Sequence, residues 1–251
     1  MNVKFISNPT GAGLEKIIKL WYETFGDEES FVSRFVSLGD YVGAVCAEAD
    51  GELVGMAHLI SLEGDKKAYY CYAVATKESH RGKGICGEVL EFIKNKCRED
   101  GAALLLHPAS EGLAAYYRRH GFAPLSYSYT VECEGDGGAF YDISAAEYKR
   151  IRDFQLEGYG YYGWSEEMLE MSGLRFIAFD IDGEYMAAAI GKTKIYELCS
   201  SPLLSGQAAR RAATACGKAE IVMTESNPAC AEVAVMGYNC SEFSYFNLFL
   251  E

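Results

Sequence analysis

Apolar positions along the first 133 residues alternate between strand-like runs and helix-like spacing. Asn2 to Ser7 reads as a short strand. After the Pro-Thr-Gly-Ala-Gly turn that follows it, Leu14, Ile17, Ile18, Trp21 and Tyr22 recur at helical intervals, and a second helix is predicted near Glu29 to Leu38. Tyr41 to Ala49 and Leu53 to Leu62 are apolar stretches joined at Asp50-Gly51, a dipeptide that accepts positive φ and so suits a tight hairpin. Tyr69 to Ala75 is the next strand in series. The glycine-rich stretch Arg81 to Gly87 then opens a helix carrying Ile85, Val89, Ile93 and Cys97 at four-residue spacing, and Gly101 stops it. Ala102 to His107 reads as a buried strand ended by Pro108, Glu111 to His120 as a helix capped by Gly121, and Phe122 to Glu132 as a returning strand. The pattern predicts an α/β (α+β) unit with a mixed, mostly antiparallel central sheet flanked by helices.

The second half repeats part of this order. Ala178 to Glu184 followed by Tyr185 to Ile190 echoes Ala47 to Glu52 followed by Leu53 to His58, and both turn at Asp-Gly-Glu. Ala229 to Met236 leads to Gly237-Tyr238 and the strand Phe243 to Leu250, as Leu113 to His120 leads to Gly121-Phe122 and its strand. The acidic, glycine-rich stretch Glu134 to Ala139 carries no apolar periodicity and is read as the boundary, giving domains at 1–133 and 140–251.

Composition narrows the classes. The chain has 251 residues, 49% hydrophobic and 24% charged, with 26 Gly and 5 Pro, which excludes a disordered, collagenous or coiled-coil chain. Its longest stretch free of charged residues and His, Leu198 to Ala209, is shorter than the roughly 18–20 residues a membrane span requires, and no secretory leader is read at the N-terminus. The nine cysteines show no Cys-x-x-Cys pair or zinc spacing, so they read as buried thiols of a cytoplasmic protein without a metal site. A net charge of -13 argues against nucleic acid and suits either a cationic substrate or plain solubility.

The chemistry concentrates in three places: Val74-Ala75-Thr76, the run Arg81-Gly82-Lys83-Gly84-Ile85-Cys86-Gly87, and Tyr117 with Gly121-Phe122. A strand that ends just before a turn and a helix start aims unpaired backbone N–H groups at one place, and the helix dipole adds partial positive charge. Gly82, Gly84 and Gly87 are expected to keep side chains clear so that a pyrophosphate can reach the backbone, while Arg81 and Lys83 add charge. Gly82, Gly84 and Gly87 nominally form Gly-x-Gly-x-x-Gly, but hairpin-connected strands precede the motif where a dinucleotide fold requires a parallel βαβ unit. No Gly-Lys-Ser/Thr follows for a phosphate loop.

The arrangement resembles the Gcn5-related N-acetyltransferase (GNAT) superfamily. There Arg/Gln-x-x-Gly-x-Gly/Ala cradles the pyrophosphate of coenzyme A, matched here by Arg81-Gly82-Lys83-Gly84-Ile85-Cys86, with Cys86 departing from the usual Gly or Ala. The resemblance implies the GNAT fold, acetyl-CoA as cofactor, a splayed strand at Val74, Ala75 and Thr76 that pairs with pantetheine, and Tyr117 as the proton donor to the departing thiolate. Backbone N–H groups near Val74 would stabilise the oxyanion. The strand Tyr69 to Ala75 has no carboxylate, so the general base stays open among Glu28, Glu29, His58, His107 and a water chain. Tyr116 and Tyr117 could both be core aromatics; the Gly-Phe spacing singles out Tyr117.

Residues 140–251 keep the hairpin but not the chemistry. Ser201-Pro202-Leu203-Leu204-Ser205-Gly206 holds one glycine and no Arg-x-x-Gly, and Val233 stands at the position matching Tyr117. This half is expected to be a degenerate GNAT-like domain without a cofactor site, its Tyr159 to Trp164 aromatic stretch serving core packing, an interface or an acceptor wall. The tandem arrangement, together with Pro108-Ala109-Ser110-Glu111-Gly112, resembles the enhanced-intracellular-survival acetyltransferases without their third domain. The function implied is acetyl transfer to the primary amine of a small molecule or protein. The alternative is a non-catalytic acyl-CoA sensor or interaction module; homo-oligomerisation stays open.

Overall fold

Two Asp-Gly turns anchor the hairpins as the sequence predicts. Asp50 and Gly51 have φ of 51° and 79°, Asp182 and Gly183 of 55° and 83°, so both central residues of each turn are left-handed, the geometry whose twist matches paired strands. A computed structural model describes residues 1–64, 66–157, 160–225 and 232–240. They divide into two units that interleave along the chain. The first comprises Met1–Leu106, Gly112–Ala123 and the segment from Met236; the second comprises His107–Glu111 and Pro124–Val235.

The first unit runs β1 (Asn2–Ile6), α1 (Gly11–Phe25), α2 (Glu29–Phe35), β2 (Tyr41–Ala49), β3 (Glu52–Gly64), β4 (Ala68–Thr76), a single 3-10 turn at Glu78–His80, α3 (Ile85–Asp100), β5 (Ala103–Leu106) and α4 (Glu111–Arg119). Its sheet has the order β1-β2-β3-β4-β5, antiparallel except for β4 and β5. Met236, Gly237 and Tyr238 then pair antiparallel with Leu106, Leu105 and Leu104 on the far side of β5. Helix α1 begins at Gly11, earlier than the predicted turn allows, because Thr10 already accepts the amides of Gly13 and Leu14. It buries Ile17, Leu20 and Trp21. Helix α3 buries Ile85, Val89, Leu90, Ile93 and Cys97, one stripe of a 3.6-residue period.

The second unit contains β6 (Ala123–Glu134), β7 (Tyr141–Ile143), α5 (Ala145–Gln155), β8 (Tyr162–Gly163), α6 (Glu166–Met171), β9 (Arg175–Ile181), β10 (Glu184–Ile190), β11 (Lys194–Cys199), α7 (Ser205–Thr214), β12 (Lys218–Glu225) and the first residues of β13 (Glu232–Tyr238), whose residues from Met236 belong to the first unit. Its sheet order is β6-β12-β11-β10-β9-β7, with β11 and β12 the parallel pair. Ala208, Ala212 and Ala213 of α7 let that helix close on Ile177, Phe179 and Met186. Glu197 of β11 is buried against α5, where Arg152 Nε donates to its Oε2 at 2.9 Å and the Tyr148 hydroxyl donates to the same oxygen. Tyr162 and Trp164 are buried; Tyr159 lies outside the described residues.

Residues 232–238, matched to the Tyr117 helix by order of elements, form a strand. Val233 and Val235 are β-branched residues that prefer extended backbone, and their local preference prevails over the analogy. Ala229 to Ala231 and the predicted strand Phe243 to Leu250 lie outside the described residues.

Gly55 of β3 sets how closely α3 approaches: a Cβ there would stand 2.6 Å from Ile85 Cγ2. Gly55→Val is expected to destabilise the protein by about 1–3 kcal/mol through overpacking, read as a lower urea midpoint. A second substitution, Ile85→Ala, should recover part of the loss; an unchanged midpoint in Gly55→Val would show that the helix shifts freely.

Candidate active site

Strands β4 and β5 begin as neighbours and then part. Their parallel ladder covers Ala68↔Ala103, Tyr69↔Leu104 and Tyr70↔Leu105, after which β5 ends at Leu106 while β4 continues to Thr76. On the other side, Met56 pairs with Ala75 and His58 with Tyr72, so β4 holds one residue more than β3 between those pairs. That is a β-bulge, and Ala73 within it has φ of 48°. A left-handed alanine costs about 1–2 kcal/mol relative to an ordinary strand conformation. Ala73 and Val74 have no registered partner among the described residues, which leaves main-chain polar groups available at the opening.

Helix α3 starts beside the end of β4. Arg81 Nε donates to the Thr76 carbonyl at 3.3 Å, tying the turn to the strand. Gly82 and Gly84 have φ of 76° and 81°, and a Cβ on either would meet nothing within 4 Å. Gly84 is the N-cap and no side chain caps the helix, so the amides of the first turn face open space. Arg81 and Lys83 are exposed on the turn. A turn with two left-handed glycines, an uncapped helix start and two cations can hold a pyrophosphate, so the residues present fit a CoA-type cofactor.

At two residues of the predicted cradle the side-chain position is set by internal packing. Ile85 is buried with its side chain against Gly55, so only its backbone N–H is on offer. Gly87 does not clear space for a ligand: a Cβ there would stand 2.9 Å from His120 Cε1. Lys94 of α3 donates to the His120 carbonyl at 2.9 Å, so Gly87 permits a close internal approach. Cys86 is half-buried, its thiol hydrogen-bonded with the Tyr116 hydroxyl and pushed up by burial.

Tyr117 is 5% exposed. Burial pushes its phenol far above the ordinary tyrosine range, so the hydroxyl stays protonated. The Tyr-x-x-x-Gly-Phe spacing also has a structural cause. Gly121 is left-handed with φ of 85°, Phe122 N–H returns to the Tyr117 carbonyl at 3.1 Å and Gly121 N–H to Arg118 at 3.1 Å. The Tyr117 and Phe122 rings meet at 5.7 Å. These are the two hydrogen bonds and the apolar contact of a Schellman helix end.

The candidate bases fare unequally. His58 is fully buried, its Nδ1 3.0 Å from the Tyr41 hydroxyl and its ring 4.7 Å from Trp21. Burial pulls its pKa down to about 3, and with no exposed surface the ring is closed to an amine that would give it a proton. Glu28 and Glu29 are exposed at the start of α2. In the second unit, His107 Nδ1 lies 2.7 Å from the Ala234 carbonyl, which makes Nδ1 the donor and leaves Nε2 as an acceptor when the ring is neutral. Sequence reasoning missed the Ala73 bulge, which no residue type announces, and Asp27, which accepts from Trp21 Nε1 at 2.8 Å.

Residues 14–122 match the family described as Acetyltransferase (GNAT) family. This segment is a GNAT domain. No curated protein matches the chain. Among solved structures, a conserved protein of Enterococcus faecalis V583 is similar over 94% of this chain and 72% of its own, at 13% identity and a TM-score of 0.70. Eis1 of Mycobacterium abscessus is similar over 94% and 73%, at 13% identity and 0.65. A GCN5-related N-acetyltransferase of Kribbella flavida covers 94% and 70%, at 14% and 0.64. At these identities the likeness shows the fold, and the fold it shows extends beyond the GNAT domain to nearly the whole chain.

The buried imidazole gives the GNAT domain a pH signature. Between about pH 6.5 and 3 the unfolded chain binds a proton that folded His58 refuses, so stability present above pH 6.5 is lost as pH falls, by about 1.4 kcal/mol per pH unit. His58→Phe is expected to make the slope of unfolding free energy shallower by about that amount between pH 6 and 4. Parallel slopes in the two proteins would contradict a neutral buried ring.

Proposed function

We propose that the chain is an acetyl-CoA-dependent N-acetyltransferase acting on a primary amine, with residues 1–133 as the cofactor-binding, catalytic domain and 140–251 as a GNAT-like domain without the cofactor motif. The observation that carries this is the parting of β4 from β5 at the mouth of an uncapped, glycine-opened helix α3. Bound there, acetyl-CoA supplies an activated acetyl thioester.

The chain's own groups have distinct tasks in this reading. Main-chain groups of Val74, Ala75 and Thr76 orient the pantetheine arm at the bulge, and the Val74 N–H is directed at the acetyl oxygen. The amides of Ile85, Cys86 and Gly87, the open turn at Gly82 and Gly84, and the charges of Arg81 and Lys83 hold the phosphates. Arg81 spends Nε on Thr76 and keeps its terminal nitrogens for the ligand. Tyr117 holds its proton at Oη and delivers it to the leaving sulfur; its buried phenol remains a donor throughout the working pH range. Most of the remaining rate comes from positioning.

The amine reaches the site neutral, its proton taken by solvent or by an exposed carboxylate such as Glu28, since His58 is closed to it. A net charge of -13 favours a small cationic or protein amine. Among the described residues no helix is long and apolar enough to cross a membrane, and we infer a cytoplasmic enzyme.

Tyr117→Phe is expected to lower turnover by about 10²-fold with acetyl-CoA affinity nearly unchanged, measured by thiol release over a panel of amines. Gly84→Glu should abolish thiol release, because a carboxylate at the helix start repels the phosphates. Full turnover in either variant would overturn the role given to that residue. If the wild type binds acetyl-CoA but releases no thiol with any amine, the chain is an acyl-CoA sensor.

A further inference from the structure

Cys86 stands where the resemblance expects Gly or Ala, and the structure shows what the larger side chain reaches. It is the second residue of α3, half-buried, and the Tyr116 hydroxyl on α4 donates to its Sγ. Neither Gly nor Ala has a side-chain atom to accept that bond. Burial pushes the thiol up, so it stays a neutral acceptor and not a thiolate nucleophile.

The bond belongs to a seam between the start of α3 and the end of α4, both in the first unit. Tyr116 and His120, four residues apart, share one face, and their rings lie 4.5 Å apart. Gly87 gives His120 its room, since a Cβ there would stand 2.9 Å from Cε1, and Lys94 holds the His120 carbonyl at 2.9 Å. Tyr117 is the next residue of α4, its ring 5.7 Å from that of Tyr116 at an interplanar angle of 72°. Helix α4 is nine residues long, too short to be stable by itself. Its contacts with the rest of the unit therefore decide where Tyr117 stands, and this seam supplies several of them.

We propose that Cys86 and Tyr116 are positioning residues: the hydroxyl-to-sulfur bond clamps α4 to the first turn of α3 and sets Tyr117 against a thioester whose phosphates are held at that turn. The inference rests on the reading of the glycine turn as the cofactor cradle and of Tyr117 as the proton donor. It extends that reading, because neither side chain is given a contact with the reacting atoms; the pair fixes the distance between grip and donor. A group misplaced by about 1 Å can cost about 10²-fold in rate. A loosened clamp therefore shows in turnover, whereas cofactor affinity depends on the amides of α3 and the charges before it.

Native-state hydrogen exchange of the cofactor-free chain and thiol-release kinetics together test it. Cys86→Ala and Tyr116→Phe are each expected to speed exchange of the α4 amides and the Phe122 amide about 5-fold. Each should also lower kcat about 10-fold with KM for acetyl-CoA unchanged. Because both break one bond, the double variant should be no slower than either single, and Cys86→Ser, whose hydroxyl can accept, should recover most of both effects. On a Tyr117→Phe background, Cys86→Ala should lower kcat no further. Wild-type exchange and kcat in Cys86→Ala and Tyr116→Phe, with Tyr117→Phe slow, overturn the proposal and leave the reading of Tyr117 standing. Faster exchange with unchanged kcat, or a loss that Cys86→Ala adds in full to that of Tyr117→Phe, marks a merely structural contact and overturns it too. Full turnover in Tyr117→Phe, or no thiol release by the wild type, overturns both.

Discussion

The candidate site depends on one strained residue. Ala73 holds a left-handed conformation inside a β-strand, at a cost of about 1–2 kcal/mol, and nothing local repays it. The conformation persists because both flanks are fixed: Met56↔Ala75 and His58↔Tyr72 lock the register on either side, and His58, Met56 and Ala75 are buried. Sliding the strand to remove the extra residue would turn its buried side chains toward solvent. The strain is therefore held by the core, and its product is a strand whose later half has lost its neighbour β5. The turn carrying Arg81, Gly82 and Gly84 is bonded to that half through Thr76, so the glycine turn and the strand edge are positioned by the same distortion.

Much of this was legible in the sequence where a residue type is demanded by backbone geometry. Asp50-Gly51 and Asp182-Gly183 announce their hairpins because both turn positions need positive φ. Gly84, Gly101 and Gly121 mark helix ends for the same reason. Legibility fails where the demand comes from a distant partner. Gly87 looks like a third cradle glycine, but its cause is the His120 ring, 33 positions away in sequence. Ile85 sits inside the motif and points into the core. The strand Met236–Tyr238 beside β5 could not be foreseen, because it is held by residues about 130 positions earlier and no local pattern encodes a pairing partner. Ala73 was silent: alanine has no preference for the conformation it adopts here.

The Tyr117 motif shows why a spacing can be right for more than one reason. Its glycine and phenylalanine complete a helix end with two backbone bonds and a ring contact, which is enough to account for the pattern without any chemistry. What sets Tyr117 apart from Tyr116 is placement. Tyr116 spends its hydroxyl on Cys86, whereas Tyr117 is buried in a setting that keeps it protonated. Helix α4 thus fixes the ring through its own termination, and the phenol is held in place at no extra structural cost.

Comparison of the two units separates what the fold requires from what the chemistry requires. Both retain the Asp-Gly hairpin, the extra residue on the strand after it, the short parallel ladder and the helix between the parallel strands. A mixed sheet of this kind parts its parallel pair because the bulge twists one strand away, and that geometry needs no particular side chain. The glycine turn, the cations before α3 and the tyrosine after β5 occur in the first unit alone. The turn residues touch little of the core, since Gly82 and Gly84 meet nothing and Arg81 and Lys83 are exposed, whereas Tyr117 is buried. Residues free of packing duty can be lost without unfolding the unit that carried them, so packing alone does not require the open glycine turn.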